Sequence, residues 1–298
     1  MNRVLTALCV LAGVVMTLAT PAIAASAPID QASWTERKQS VTLANGITLS
    51  YVEMGNPKGR PVLLLHGWTD NSRAWTILAP HLMKHRLLIP DQRGHGASDK
   101  PTCCYAISAF AHDAILFLDA KGIAKADVVG HSLGSMVAQV IAAEHPDRVA
   151  RLVLIGSTAL APVTRTNWLY KEVLAFEAPP ALGSDFMRLW SPAASPTPVD
   201  AAYVAHSEPE IAAVPLQVWH GVMREVVEVP VGRFAADIEA PTLILSGGKD
   251  ELFPPEHHAA LVKAFPAAEA HVFPDLGHNL NMERPEEVGP VLERFLDR

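Results

Sequence analysis

Short apolar runs alternate with stretches of helical spacing over most of the chain. Val62-Leu63-Leu64-Leu65, Arg86-Leu87-Leu88-Ile89-Pro90, Ala126-Asp127-Val128-Val129, Leu152-Val153-Leu154-Ile155, Pro241-Thr242-Leu243-Ile244-Leu245-Ser246 and Ala270-His271-Val272-Phe273 each read as a strand. The near-continuous apolar character of most of them is that of strands buried on both faces. Between them, Tyr105 to Lys121 places Ile107, Phe110, Ala114, Phe117 and Leu118 at helical intervals. Leu133 to about His145 does the same with Met136, Val137, Val140 and Ile141 until Pro146 stops it. Pro254-Pro255 opens a helix running to about Ala264, and Glu283-Arg284-Pro285 begins a last one with Val288, Val291, Leu292 and Phe295 inward. Ahead of all these, Asn45-Gly46 between Val41-Thr42-Leu43 and Ile47 to Val52 predicts a hairpin. Strands that alternate with helices predict an α/β chain: a mostly parallel sheet with helices on both faces.

The alternation fails from about Ala159 to Pro230. Aromatic residues gather there, among them Trp168, Phe176, Phe186, Trp190 and Trp219, and prolines recur. Several short helices inserted between two strands are predicted, forming a lid whose apolar lining would suit an apolar acyl or alcohol group. At the other end, Met1-Asn2-Arg3, the apolar run Val4 to Ala19 and the Ala22-Ile23-Ala24 cleavage site have the form of a secretory signal peptide. That run is shorter than the ~20 residues of a membrane span. The organisation expected is a leader over 1–24, a core over 25–158, a lid over 159–230 and the rest of the core over 231–298. The mature protein is expected to be exported, periplasmic or secreted, without stable membrane insertion.

Composition changes this picture little. Of the 298 residues, 49% are hydrophobic, enough for a sizeable core, and the formal charge of −7 provides no basic surface for nucleic acid. Loss of the leader removes Cys9 and leaves Cys103-Cys104. Export permits a disulfide, but adjacent cysteines close only a small, strained ring; free thiols and an intermolecular bond are the alternatives. No metal-ligand spacing accompanies them, and neither metal nor cofactor is expected.

The chemistry is carried by Gly130-His131-Ser132-Leu133-Gly134, between a strand and a helix. A Gly-x-Ser-x-Gly in that setting is a nucleophile elbow, a turn so sharp that the serine adopts strained backbone angles while the glycines let neighbouring chain pass close. A serine hydroxyl is a weak nucleophile at neutral pH and needs an adjacent base, itself oriented by a carboxylate. In parallel sheets ligands bind beyond the carboxyl ends of the strands, which directs attention to the residues there. His278 follows the last strand with a glycine before it, and Asp250 follows the strand before. His131 neighbours the serine on a diverging turn, His66 and His95 lie in upstream loops, and His257, His258 and His271 fall within a helix or strand. Glu251 and Asp275 rival Asp250, but Asp275 is too close in sequence to His278 to be the usual partner. The candidates are Ser132, Asp250 and His278, in the order Ser, Asp, His.

With His66-Gly67-Trp68, Asp91-Gln92-Arg93-Gly94-His95-Gly96-x-Ser98, Gly248-x-Asp250 and Gly277-His278, these residues make the chain resemble the α/β-hydrolase fold family across nearly all of its mature length. The resemblance is closest to its small esterases, lactonases, carbon–carbon bond hydrolases and cofactor-free haloperoxidases. It implies an oxyanion hole from the backbone N–H groups of Trp68 and Leu133 and a bracing role for Asp91, Arg93 and His95. Haloalkane dehalogenases and epoxide hydrolases of this fold carry aspartate where Ser132 stands, so both are disfavoured. The expected function is cleavage of a small-molecule carboxylic ester or lactone through an acyl-enzyme. Perhydrolysis or carbon–carbon bond hydrolysis with the same triad is the alternative, and a non-catalytic binding protein would be expected to lack one of the three residues.

Overall fold

The computed structural model describes residues 27–298; the expected signal peptide lies outside them. The Asn45-Gly46 turn joins β1 (Gln39–Thr42) to β2 (Thr48–Gly55) in antiparallel register, with Gly46 at φ +85°, as such a turn requires. Then follow β3 (Pro61–Leu65), β4 (Arg86–Pro90), α1 (Ile107–Ala120), β5 (Ala126–His131), α2 (Leu133–Glu144) and β6 (Val149–Ile155). Four helices separate β6 from β7: α3 (Trp168–Leu174), α4 (Asp185–Trp190), α5 (Ala201–Ala212) and α6 (Leu216–Val226). The chain ends with β7 (Thr242–Gly247), α7 (Pro255–Ala264), β8 (Glu269–Phe273), α8 (Leu280–Glu283) and α9 (Pro285–Leu296). The sheet runs β1-β2-β4-β3-β5-β6-β7-β8, antiparallel at the β1–β2 and β2–β4 edges and parallel from β4 to β8.

The continuous apolar runs are explained by the two-residue period of a strand. Leu63 and Leu65 of β3, with Leu152 and Leu154 of β6, pack on one face against α1 and α2. Val62 and Leu64, with Val153 and Ile155, pack on the other against Val288, Leu292 and Leu296 of α9. A strand covered on both sides has no polar register, so it cannot alternate. The same logic extends to α2, where the structure departs from the one-sided face the sequence spacing indicates. Every residue from Leu133 to Ala142 is buried. This helix is held between β5 and β6, the neighbouring α1, and a 3₁₀ segment at Val231–Asp237 that returns over it.

A buried ion pair braces the loop after β4. Arg93 donates from Nε and Nη2 to the two carboxylate oxygens of Asp113 on α1, each at 2.6 Å, and from Nη1 to the Cys104 carbonyl at 2.9 Å. Asn45 Nδ2 of the first hairpin completes the Asp113 carboxylate at 2.8 Å. Removing one partner leaves the other charge buried and alone, which costs about 3–5 kcal/mol. Arg93→Ala is therefore expected to lose stability on that scale in urea denaturation, while the exposed pair Arg188–Asp185 is expected to contribute almost nothing. Equal losses from both pairs would contradict this. Beside the loop, Cys103 and Cys104 are joined in a disulfide, one of the states the sequence allows.

Candidate active site

β3, β5, β7 and β8 run parallel, so the segments leaving their carboxyl ends meet along one edge of the sheet. Trp68 follows β3, Ser132 joins β5 to α2, Asp250 follows β7 and His278 follows β8. Ser132, Trp68, Leu133 and His278 line a common cavity of about 420 Å³. Asp250 stands behind it, buried.

Ser132 has φ 52° and ψ −118°, the strained turn the motif anticipates. The flanking glycines are required by sterics. A Cβ on Gly130 would lie 2.3 Å from the Gly134 carbonyl oxygen, and one on Gly134 would lie 2.2 Å from the Leu65 carbonyl oxygen. The elbow is thus pressed onto the end of β3, which brings Trp68 and Leu133 into one cavity. Leu133 is the first residue of α2, so its N–H has no intrahelical acceptor. Among the described backbone hydrogen bonds, neither it nor the N–H of Trp68 donates to the protein. Both are free for a ligand oxygen.

Asp250 is fully engaged. Its Oδ1 accepts the N–H groups of Leu252 and Phe253 at 2.9 and 2.8 Å, and its Oδ2 accepts from Nδ1 of His278 at 2.9 Å. Burial works against its charge, but His278 and the two N–H groups outweigh burial and hold the carboxyl below its ordinary value. For His278, burial alone would depress the pKa; Asp250 beside it, with Asp70 and Glu283, reverses this and raises it above 6.5. Because Nδ1 donates to Asp250, the neutral ring carries its lone pair on Nε2. That atom is buried and has no partner among the described residues. The Ser132 hydroxyl does not hydrogen-bond to it here, as is common before a substrate closes the geometry.

The competing histidines are used otherwise. His66 donates from Nδ1 to the Gly67 carbonyl at 2.8 Å and accepts the Gln92 N–H on Nε2 at 2.9 Å. His131 donates from Nε2 to the His278 carbonyl at 3.0 Å, fixing the loop that carries His278. Burial pushes His66 and His131 down to about 3 and His95 to about 4, so all three are neutral near pH 7. His257 and His258 on α7 bond the hydroxyls of Thr158 and Ser246. Asp91 collects the N–H groups of Ser72 and Ala97 and the ammonium of Lys38, a bracing arrangement. Asp275, a rival acid, pairs with Lys249 at 3.0 Å instead.

Two features were not read from the sequence. Trp190 of α4 donates from Nε1 to the Thr69 hydroxyl at 2.8 Å, tying the helical segment to the loop that carries Trp68. Trp68, Trp190 and Trp219 meet edge to face with ring centres 5.0 to 6.2 Å apart. The second feature is Asp70, a carboxyl on the cavity wall. Only its place after His66-Gly67, at a strand end, could have drawn attention to it. Away from the cavity, His85, Glu293 and Asp297 present ligand atoms within 4.8 Å of one another. The Lys84 ammonium already occupies that group, pairing with Glu293 at 2.8 Å and with Asp297.

Residues 60–285 match the family described as the alpha/beta hydrolase fold, and the chain belongs to that family. It is 29% identical over 267 residues to Lipase 1 of Psychrobacter immobilis, covering 86% of this chain and 83% of the relative. It is 30% identical over 273 residues to the 2-hydroxymuconate semialdehyde hydrolase of Pseudomonas putida, covering 85% and 92%. The crystal structure of a hydrolase from Pseudomonas aeruginosa superposes with a TM-score of 0.76 at 25% identity, covering 88% of this chain and 98% of that one.

Proposed function

We propose that the protein is a serine hydrolase of carboxylic esters or lactones. The observation that carries this reading is the Asp250–His278 hydrogen bond at 2.9 Å, which leaves Nε2 free on the cavity shared with the strained Ser132. His278 takes the Ser132 proton as the oxygen attacks the carbonyl. The N–H groups of Trp68 and Leu133 hold the oxyanion, each contributing on the order of 3 kcal/mol at the transition state. Asp250 fixes the ring and stabilises its charged form. The alcohol leaves with the proton from Nε2, and water activated by the same nitrogen releases the acid. The likeness to a lipase supports an ester substrate, and the tryptophans of the cavity suit an apolar acyl or alcohol part.

The segment between β6 and β7 is read as a lid, because Trp168, Leu189 and Trp190 from it line the cavity that also holds Ser132. Export is part of the same proposal; the mature chain recovered from the periplasm or medium is expected to begin near Ala25. No helix among the described residues is long and apolar enough to cross a membrane. The likeness to 2-hydroxymuconate semialdehyde hydrolase supports a second reading, carbon–carbon bond hydrolysis by the same residues. Nitrophenyl esters from acetate to palmitate test the first reading directly. Turnover of some members supports it, and the preferred chain length measures the cavity. A folded protein inert to the whole series would favour the second.

The pH profile has a defined sign. His278 must be neutral to act as base, and its pKa is raised, so kcat/KM is expected to fall as pH drops through a midpoint above 6.5. Asp250→Asn removes the strongest influence opposing burial, so the residual activity is expected to show that limb at lower pH. A wild-type limb below pH 6 would contradict the assignment of His278.

A further inference from the structure

Asp70 lies on the wall of the cavity that holds Ser132. The place where a Cβ on Gly67 would sit is 3.0 Å from Asp70 Oδ2, 3.1 Å from His131 Nδ1 and 3.3 Å from Ser132 Cβ. The Asp70 carboxyl therefore stands beside the serine and lines the same cavity. It is enclosed on most sides yet keeps some exposure to the cleft. No hydrogen bond reaches its carboxyl from the described residues.

The nearby cations are engaged elsewhere. Arg73, three residues on, gives Nε and Nη2 to the two oxygens of Glu210 on α5, at 2.8 and 2.7 Å. Asn71 Nδ2 bonds that same carboxylate at 2.8 Å. Lys249, which also lines the cavity, pairs with Asp275, and His278 faces Asp70 but is bonded to Asp250. Glu210 and the buried Tyr203 approach from α5 and bring no positive charge. Among the cavity-lining residues there is no arginine. A substrate carboxylate beside Ser132 would thus meet Asp70 and no guanidinium, the one lysine among the lining residues, Lys249, being half-exposed and paired with Asp275, whereas an uncharged group meets no penalty.

Resting on the serine-hydrolase reading of the site, we infer that Asp70 selects substrates by charge, admitting uncharged acyl groups and turning away those that carry a carboxylate. Burial, reinforced by Glu210 and relieved in part by His278, raises the Asp70 carboxyl to about 7. The discrimination is therefore graded with pH, weak while Asp70 is protonated and strong once it is ionised.

The test compares 4-nitrophenyl hexanoate with mono-4-nitrophenyl adipate, which differ by a terminal carboxylate. Like charges held a few ångströms apart in a protein-like medium repel strongly enough for a discrimination of about tenfold or more in kcat/KM. For the wild type, the hexanoate-to-adipate ratio is expected to exceed that value at pH 8.5 and to shrink towards pH 5.5. In Asp70→Asn the ratio, in which any common change in His278 cancels, is expected to fall at least fivefold and become flat with pH; Asp70→Glu should restore the bias. The same variants are titrated with hexanamide and adipamate, followed by tryptophan fluorescence, since Trp68 and Trp190 line the cavity. The amide of the diacid is expected to bind more weakly to the wild type alone. An unchanged preference in Asp70→Asn by both readouts overturns the inference. Absence of ester turnover alongside the expected binding preference would instead count against the hydrolase reading and leave Asp70 as the charge selector.

Discussion

Ser132→Ala is expected to lower kcat/KM for a nitrophenyl ester by about 10⁴-fold or more while leaving the fold intact. The size follows from the division of labour proposed at the site. The base and its carboxylate act only through the serine oxygen, so without it His278 has nothing to activate. What remains is binding and the two N–H donors, which alone retain only a small part of the rate enhancement. Stability should be nearly unchanged. Alanine keeps the Cβ and hence the strain at φ 52°, and the lost hydroxyl makes no hydrogen bond among the described residues. A thermal melt beside the kinetics separates the two effects. Activity within tenfold of wild type, in a protein melting normally, would remove Ser132 from the mechanism.

Gly134→Ala should act on the fold itself. The added carbon would be 2.2 Å from the Leu65 carbonyl oxygen and 2.6 Å from that of His66. Both are backbone atoms of β3 and its exit loop, and neither can rotate aside as a side chain could. Relief requires α2 to move off the sheet, and α2 is buried along nearly its whole length. A cost of about 3 kcal/mol or more is expected, at the upper end for overpacking, and is measurable by urea denaturation. Activity should fall as well, because the same shift withdraws the Leu133 N–H from the cavity. Gly122→Ala, where a Cβ would meet nothing within 4 Å, is the contrasting variant. Its expected cost is only that of a non-glycine residue at φ +67°. Equal losses from the two would show that the close approach at Gly134 is not what demands glycine.

The parts of the molecule legible in the sequence are those set by local rules. Asn45-Gly46 fixed its hairpin, the apolar runs marked the parallel strands, and the elbow announced itself by the residues on either side of Ser132. The triad candidates could be chosen because topology forces strand ends together, so chain order alone aligned Ser132, Asp250 and His278. Strand limits were less legible. β6 begins at Val149, three residues before its apolar run, because Val149 pairs with Ala126 across the sheet. That pairing is a property of the neighbour, not of the segment. The segment from Ala159 to Pro230 was harder for the same reason. Its helices are short, and its order comes from contacts such as Phe186 stacked on Trp190 and Phe176 against Trp219. Asp70 was least legible. Its unpaired state depends on Arg73 being held by Glu210, 137 residues along the chain, and no local pattern encodes that.

The central claim is that Ser132 is the nucleophile. It is tested most directly by treating the purified protein with a fluorophosphonate and mapping the modified peptide by mass spectrometry. One adduct is expected, on Ser132, formed faster as pH rises through the His278 limb and absent in Ser132→Ala. A folded protein that takes up the probe on another residue, or equally well in Ser132→Ala, would contradict it.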